Sequence, residues 1–443
     1  MTEIDLVPLR ADQIHSVDSI YRKVSWRLLP LLMLAYIVAY LDRINIGYAQ
    51  LQMKQTLSFS DAVYGVGTGI FFVGYFLFEV PSNLLLAKIG ARKTMLRIMV
   101  LWGILASTTM FVTTPMQFYV VRFLLGLFEA GFVPGVVLYI TYWYPSERRG
   151  QVMGIFMSAS SIAAVLAGPL CGGILKYLDG LGGWYGWQWL FLVQGLPAVF
   201  LGGAIYVWLE DNPADAQWLA PSEKNLLHYN LQHDRKNIEG EVKETFWSVL
   251  RDPNIYLLSL AYFLLLGAGY TMIFWMPTLI QNWGVKDVLL IGIYGSLPSL
   301  MGVVGMIIIG RSSDKHRERH YHFMACVMIG AIGLAIATTV SGDLNGSLVA
   351  LSFSMFGLSA ATPVFWTLIS EYLSKDAAAG GLAFISSLGV LGPAVIPTIN
   401  TLIVQHSGSS SYGIYLMITM FISSGLIVLF LMRTTATTQQ SMI

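Results

Sequence analysis

Charge is scarce in this 443-residue chain: 12% of its residues are Asp, Glu, Lys or Arg, about half the share usual in soluble domains. So few charges cannot solvate a surface on all sides, and with 55% hydrophobic residues the chain reads as a membrane protein. Neither sign dominates, since 26 basic residues stand against 25 acidic ones. Without a basic arm or a zinc-finger spacing, nucleic-acid partners are not expected. Cysteine is nearly absent, and Cys171 and Cys326 both fall in apolar runs, where a thiol packs as a small hydrophobe. The seven histidines fall in loops or at the ends of apolar segments, so no HExxH helix or intramembrane metal cluster is expected. No GxSxG elbow or membrane-placed serine–histidine–carboxylate set supports an enzyme. Long strand-like alternation, the mark of a β-barrel, is missing as well.

Long apolar runs, by contrast, are many. A helix needs about 20 residues to cross the bilayer core. Twelve stretches of that order predict spans 1 to 12 at 27–49, 62–86, 95–114, 117–143, 151–177, 188–209, 254–281, 289–310, 322–340, 347–371, 378–405 and 411–432. The first 26 residues are polar and hold Glu3, Asp5, Asp12 and Asp18, unlike the basic start of a cleaved signal peptide, so span 1 is expected to act as an uncleaved insertion signal. Alternate loops starting from the N-terminus collect 21 basic residues, against Lys54, Lys176 and Lys286 on the other side. The positive-inside bias then places both termini in the cytoplasm.

The longest polar segment, 210–253, contains Pro213, Pro221 and Pro253 and separates six spans from six. The expected organisation is an N-terminal segment 1–26, a bundle 27–209, a linker 210–253, a bundle 254–432 and a tail 433–443. Basic loops recur after spans 2 and 8, as AKIGARK (87–93) and GRSSDKHRER (310–319). The predicted fold is all-α, with twelve transmembrane helices in two pseudo-symmetric six-helix bundles, the plan of transporters whose halves rock about a central site.

An ionised side chain deep in the bilayer costs at least about 2.5 to 3.5 kcal/mol on insertion scales, so it usually faces a cavity or a partner. Span 1 carries Asp42 and Arg43, and span 4 carries Arg122 and Glu129. Arg122, Gly126 and Glu129 share a helix face, with the charges about 10 Å apart in height, and Gly126 is expected to leave that face open. On span 1, Tyr36, Tyr40, Arg43 and Gly47 fall at helical spacing, which would line a cavity with hydroxyls beside one guanidinium. Protonating Glu129 or Asp42 is expected to free an arginine, Arg43 first, whose planar fork can bind a carboxylate. The competing expectation is a fixed ion network tying span 1 to span 4. Glu79 and Glu371 lie toward the cytoplasmic ends of their spans and read as gate residues or as solvated helix ends.

Gly65, Gly67 and Gly69 in span 2, and the Gly168–Gly173 and Gly392–Pro397 series in spans 5 and 11, read as close helix packing. Trp184, Tyr185, Trp187 and Trp189 read as an interfacial aromatic belt.

LDRINIG (41–47), GYFLFEVPSN (74–83), AKIGARK, RFLLGLFEAGFVPG (122–135) and GWQWLFLVQGLPA (186–198) together resemble the major facilitator superfamily, and within it the anion:cation symporters. The chain looks most like permeases for tartrate, 4-hydroxyphenylacetate and sugar acids. The resemblance implies proton-coupled import of a small organic carboxylate, with Asp42 and Glu129 as proton sites, Arg43 and Arg122 as their charge partners, and Tyr40 and Tyr75 in contact with substrate. The superfamily's loop motif is degraded after span 2, with Asn83 and Ala87 at two of its positions but Gly90 and Arg92 retained. After span 8 it keeps Gly310, Asp314 and Lys315, and these five retained residues are the candidate gate. Gln194 stands where relatives often have Glu, and Ser386 and Val390 stand where asparagine is common. That favours a substrate less hydroxylated than a sugar acid, with Thr362, Phe365, Trp366 and Tyr270 as an apolar wall. Beyond the proton as coupling ion no cofactor or metal is implied. The expectation is a monomer in a bacterial inner membrane. An exporter or exchanger of the same fold, or a non-transporting membrane sensor, is the alternative.

Overall fold

The computed structural model describes residues 11–239, 251–340, 343–373 and 375–440. Parts of the N-terminal segment (1–10), the linker (240–250) and the tail (441–443) lie outside the described residues. Among the described residues twelve helices are long and apolar enough to cross a membrane: Val17–Thr56, Asp61–Leu86, Ala91–Phe111, Pro115–Trp143, Ser146–Tyr177, Gly186–Trp208, Pro253–Asn282, Val288–His316, His320–Thr339, Leu344–Tyr372, Gly381–Ser407 and Ser410–Leu431. These are spans 1 to 12, each overlapping the run predicted for it. Several continue into polar sequence, because helical hydrogen bonding does not stop where hydropathy does. Span 5 starts at Ser146, so its first turn includes Glu147, Arg148 and Arg149.

The twelve spans form two hydrophobic cores, one centred on spans 1–6 and one on spans 7–12. Their packing repeats. Span 1 lies on span 5, 2 on 4 and 3 on 6; in the other half 7 lies on 11, 8 on 10 and 9 on 12. The halves join crosswise, span 5 against span 8 and span 11 against span 2, with the end of span 1 against span 7.

The contacts joining the halves lie at mid-membrane and toward the side away from the linker. A Cβ on Gly168 would sit 2.0 Å from the Gly292 carbonyl oxygen, and one on Gly69 2.2 Å from that of Ala394, so only glycine permits these approaches. On the same side Gln50 donates to the Phe274 carbonyl at 2.8 Å and Lys176 pairs with Asp287. Nearer the linker, Gly74 of span 2 packs instead on Phe123 of its own half. Among the described residues, the contacts between the bundles thus gather at mid-membrane and on the side away from the linker.

The linker does not hang free between them. Its helix Pro221–Glu239 docks on the first half, where Glu223 pairs with Lys23 at 2.8 Å and Asp234 with Arg149 at 2.9 Å. The aromatic belt needs correction at one position: Trp187 is buried and donates its indole N–H to Thr56 at 3.1 Å.

Candidate functional site

One span is interrupted near its middle, next to a charge. Span 1 runs on through Asn45, two residues beyond Arg43; Asn45 keeps helical angles and both its i→i−4 backbone hydrogen bonds at 2.9 Å. Span 4 consists of Pro115–Glu129 and Phe132–Trp143. Between them Ala130 is extended and Gly131 adopts φ +86°, a left-handed conformation suited to glycine. Glu129 thus occupies the last turn of a half-helix. That end carries partial negative charge, which favours a cation and disfavours an anion. A cation beside Glu129 offsets this, and Arg43 Nη2 donates to Glu129 Oε1.

The ion pair is almost closed off, the side chains being 12% and 1% exposed. Arg43 also reaches the other half, donating from Nη1 to the Tyr270 hydroxyl of span 7 at 3.3 Å. Its guanidinium carbon lies 5.3 Å from the Tyr75 ring centre and 5.7 Å from that of Phe71. Arg43 Nε and Glu129 Oε2 are buried with no hydrogen-bond partner among the described residues. One guanidinium therefore links spans 1, 4, 2 and 7 while keeping an unused donor.

Asp42 points the other way. Its carboxylate accepts from the Trp102 indole at 2.8 Å and from the Asn45 amide at 3.1 Å. Asn45 also donates to Gln194 Oε1 at 3.0 Å, and Gln194 donates to the Cys171 sulfur at 3.3 Å. Asp42 is bound into the first half's interior rather than to an arginine. Arg122, 1% exposed, donates from Nε to the Gly67 carbonyl at 3.2 Å and stacks 4.9 Å from the Phe71 ring centre. No ion pair of Arg122 with Asp42 or Glu129 is present among the described residues.

Other expected site residues scatter. Tyr36 stacks on Phe156 at 4.9 Å and meets Tyr40 edge-on at 6.4 Å. Trp366, half-buried on span 10 one turn from Thr362, packs edge-on to Tyr262 of span 7 at 4.9 Å. Phe365 is no chamber wall: it is fully buried, stacked on Tyr262 at 5.1 Å and close to Phe323. Gly126 does not open its face, because a Cβ there would lie 1.8 Å from the Phe71 carbonyl oxygen. Gln194 is spoken for by Asn45 and Cys171.

At the linker side, Gly90 has φ +89° and joins spans 2 and 3, while the Arg92 backbone N–H donates to Asp211 at 2.9 Å. The Asn83 and Ala87 side chains lie outside the described residues. In the second half Arg319 bridges Asp314 at 2.8 Å and Glu371 at 3.0 Å, tying the loop after span 8 to span 10. Gly310 has no side-chain neighbour to exclude, and Lys315 is exposed. Arg319, unflagged in the sequence, holds that corner. In the same loop burial alone would raise the Glu318 carboxyl, but donors from Tyr321 and His322 outweigh it and hold the group below its usual value.

Residues 32–397 match the Major Facilitator Superfamily. The chain belongs to the major facilitator superfamily. An Agrobacterium vitis protein whose name provisionally assigns it tartrate transport is 40% identical over 94% of this chain and 95% of its own. The quinolone resistance transporter of Acinetobacter baumannii is 40% identical over 89% and 91% of the two chains. The inner membrane transport protein RhmT of Escherichia coli K12 is 32% identical over 96% and 98%. Among solved structures, an inward-facing, occupied bacterial homolog of the human lysosomal transporter Spinster superimposes with a TM-score of 0.74 at 17% identity, covering 92% and 96% of the chains. A partially occluded, inward-open form of the E. coli xylose transporter XylE gives 0.74 at 13%, covering 91% and 97%. As a major facilitator transporter, the chain has its Arg43–Glu129 pair where the two halves meet.

Proposed function

We propose that this transporter is a proton-coupled symporter that imports a small organic carboxylate by alternating access. The observation that carries the reading is Arg43, which pairs with Glu129 in its own half and bonds Tyr270 in the other. Protonation of Glu129 removes the negative charge that holds Arg43. The guanidinium fork is then available to a substrate carboxylate in bidentate fashion. Substrate release and loss of the proton restore the pair, so Arg43 has an anionic partner in both the empty and the loaded state. Asp42, enclosed by Trp102 and Asn45, is the second proton site in this reading. On this reading the linker side is the cytoplasm, and the bundles part toward it in a bacterial inner membrane, the chain working as a monomer.

The test is uptake into proteoliposomes. An inward acid gradient is expected to drive accumulation of a carboxylate. Glu129→Gln should retain substrate counterflow while losing uphill uptake. Transport indifferent to the gradient would reject proton coupling. Export or exchange is a second reading, favoured by the name of the Acinetobacter baumannii relative. Opposite gradient polarities in the same vesicles distinguish the two.

A further inference from the structure

One turn below Tyr75 on span 2, toward the linker, lies Glu79. Tyr75 and Glu79 are four residues apart, so they share a helix face about 6 Å apart in height. That face looks toward Arg43, which sits over the Tyr75 ring. Glu79 is close enough to feel the charge of Arg43, and Tyr262 of the opposite half in turn feels Glu79. Sharing the face of Tyr75, Glu79 lies on the side of span 2 that Arg43 covers. Glu79 Oε2 is buried with no hydrogen-bond partner, and no ion pair involves Glu79 among the described residues. Of the other two carboxylates of the region, Asp42 is engaged by Trp102 and Asn45, and Glu129 by Arg43 through Oε1 while its Oε2 is likewise unpartnered, so Glu79 is the one with no side-chain ion or hydrogen-bond partner among the described residues.

A buried carboxylate oxygen without a donor is costly, and it persists where something else supplies the donor. Between Arg43 and Glu79 on the first half stands Tyr75, and Tyr262 of the second half, packed on Trp366, is within electrostatic reach of Glu79. This stretch has a cationic pole at mid-membrane and an anionic pole toward the linker.

Resting on the carboxylate reading above, we propose that Glu79 is the second pole of the substrate site. It accepts a hydrogen bond from an N–H or O–H group that the carboxylate substrate carries at its far end. Arg43 then fixes the carboxylate, the aromatic side chains flank a flat body, and Glu79 selects donor-bearing acids over plain ones, a cationic donor above a neutral one.

The experiment measures binding of three acids to the purified full-length protein: benzoate, with no far-end donor; 4-hydroxybenzoate, with a neutral donor; and 4-(aminomethyl)benzoate, with a cationic one. Wild type is expected to bind the two donor-bearing acids at least about tenfold more tightly than benzoate, the scale of one buried hydrogen bond. Glu79→Leu should bring all three to similar affinity. Glu79→Gln, which keeps an acceptor oxygen but no charge, should retain the preference for 4-hydroxybenzoate and lose that for the amine. Unequal affinities that survive in Glu79→Leu overturn the proposal. Equal affinities in wild type, all abolished by Arg43→Ala, overturn it while leaving the carboxylate reading intact. Failure of wild type to bind any of the three, or of other carboxylates in the same assay, overturns both.

Discussion

Arg43 and Arg122 each have more donor capacity than their neighbours use, Arg43 at Nε and Arg122 at Nη2; what separates them is the partners they do have. Both are arginines in oil, yet Arg122 bonds a carbonyl and a ring face within its own half, whereas Arg43 pairs with a carboxylate and reaches Tyr270 of the other half. Replacing Arg43 by Lys keeps the charge but removes the fork. A point ammonium cannot serve Glu129 and a substrate carboxylate with paired bonds, so substrate affinity should fall at least about tenfold, read by calorimetry, while the protein still folds. Trp102→Phe should act oppositely. It strips a donor from the buried Asp42 carboxylate, costing about 1.5–3 kcal/mol, so the thermal midpoint should drop with substrate affinity little changed. Unaltered stability would show that Asp42 does not rely on the indole. The four intramembrane charges were legible because ions in hydrocarbon are expensive whatever surrounds them. Their partners were not. Trp102 is 60 residues from Asp42 and carries no mark distinguishing it from a packing tryptophan. Phe365 and Trp366 are adjacent in sequence, but only helix rotation decides which one is buried.

At the scale of elements, hydropathy located every span because the bilayer imposes one length on all of them. It did not locate the break in span 4, since an Ala–Gly pair hardly alters an apolar average; GFVPG after Glu129 was the available hint. The linker helix misled for a related reason. Its polarity reads as a solvated tether, but the Asp234 carboxylate accepts from the Ser146 backbone N–H at 3.1 Å and from Arg149, so it caps the start of span 5. Asp234→Ala is expected to cost about 2 kcal/mol, the scale of hydrogen bonds to a charged group, and to raise amide exchange across 221–239. Glu223 gives the same docking a pH dependence. The hydrogen bond from Lys23, helped by the Ala220 N–H, holds its carboxyl below the usual value. Its contribution is therefore complete above the unfolded pKa of about 4.3 and disappears as pH falls through the lower folded value. Exchange over 221–239 should rise only in acid, and Lys23→Gln should flatten that rise.

For the whole molecule, the decisive feature is that, beside side-chain links such as Lys176 with Asp287, the halves touch backbone to backbone. Where span 5 meets span 8, Gly168 and Gly292 face each other so closely that a Cβ on either would lie 2.0–2.1 Å from the other's carbonyl oxygen. Such a contact has almost no intermediate: a side chain inserted there must push the spans apart or not fit at all. A Cβ on Gly173, in the same span, would meet nothing within 4 Å. Gly168→Leu is therefore expected to prop the side away from the linker open and abolish transport, whereas Gly173→Leu transports normally. To separate propping from misfolding, spin labels can be placed on cysteines introduced at Asp179 and Lys286, in a background without Cys171 and Cys326. The distance between the labels should lengthen in Gly168→Leu and stay unchanged in Gly173→Leu. A monodisperse Gly168→Leu protein with wild-type distances and full transport would mean that the halves do not close through this glycine pair.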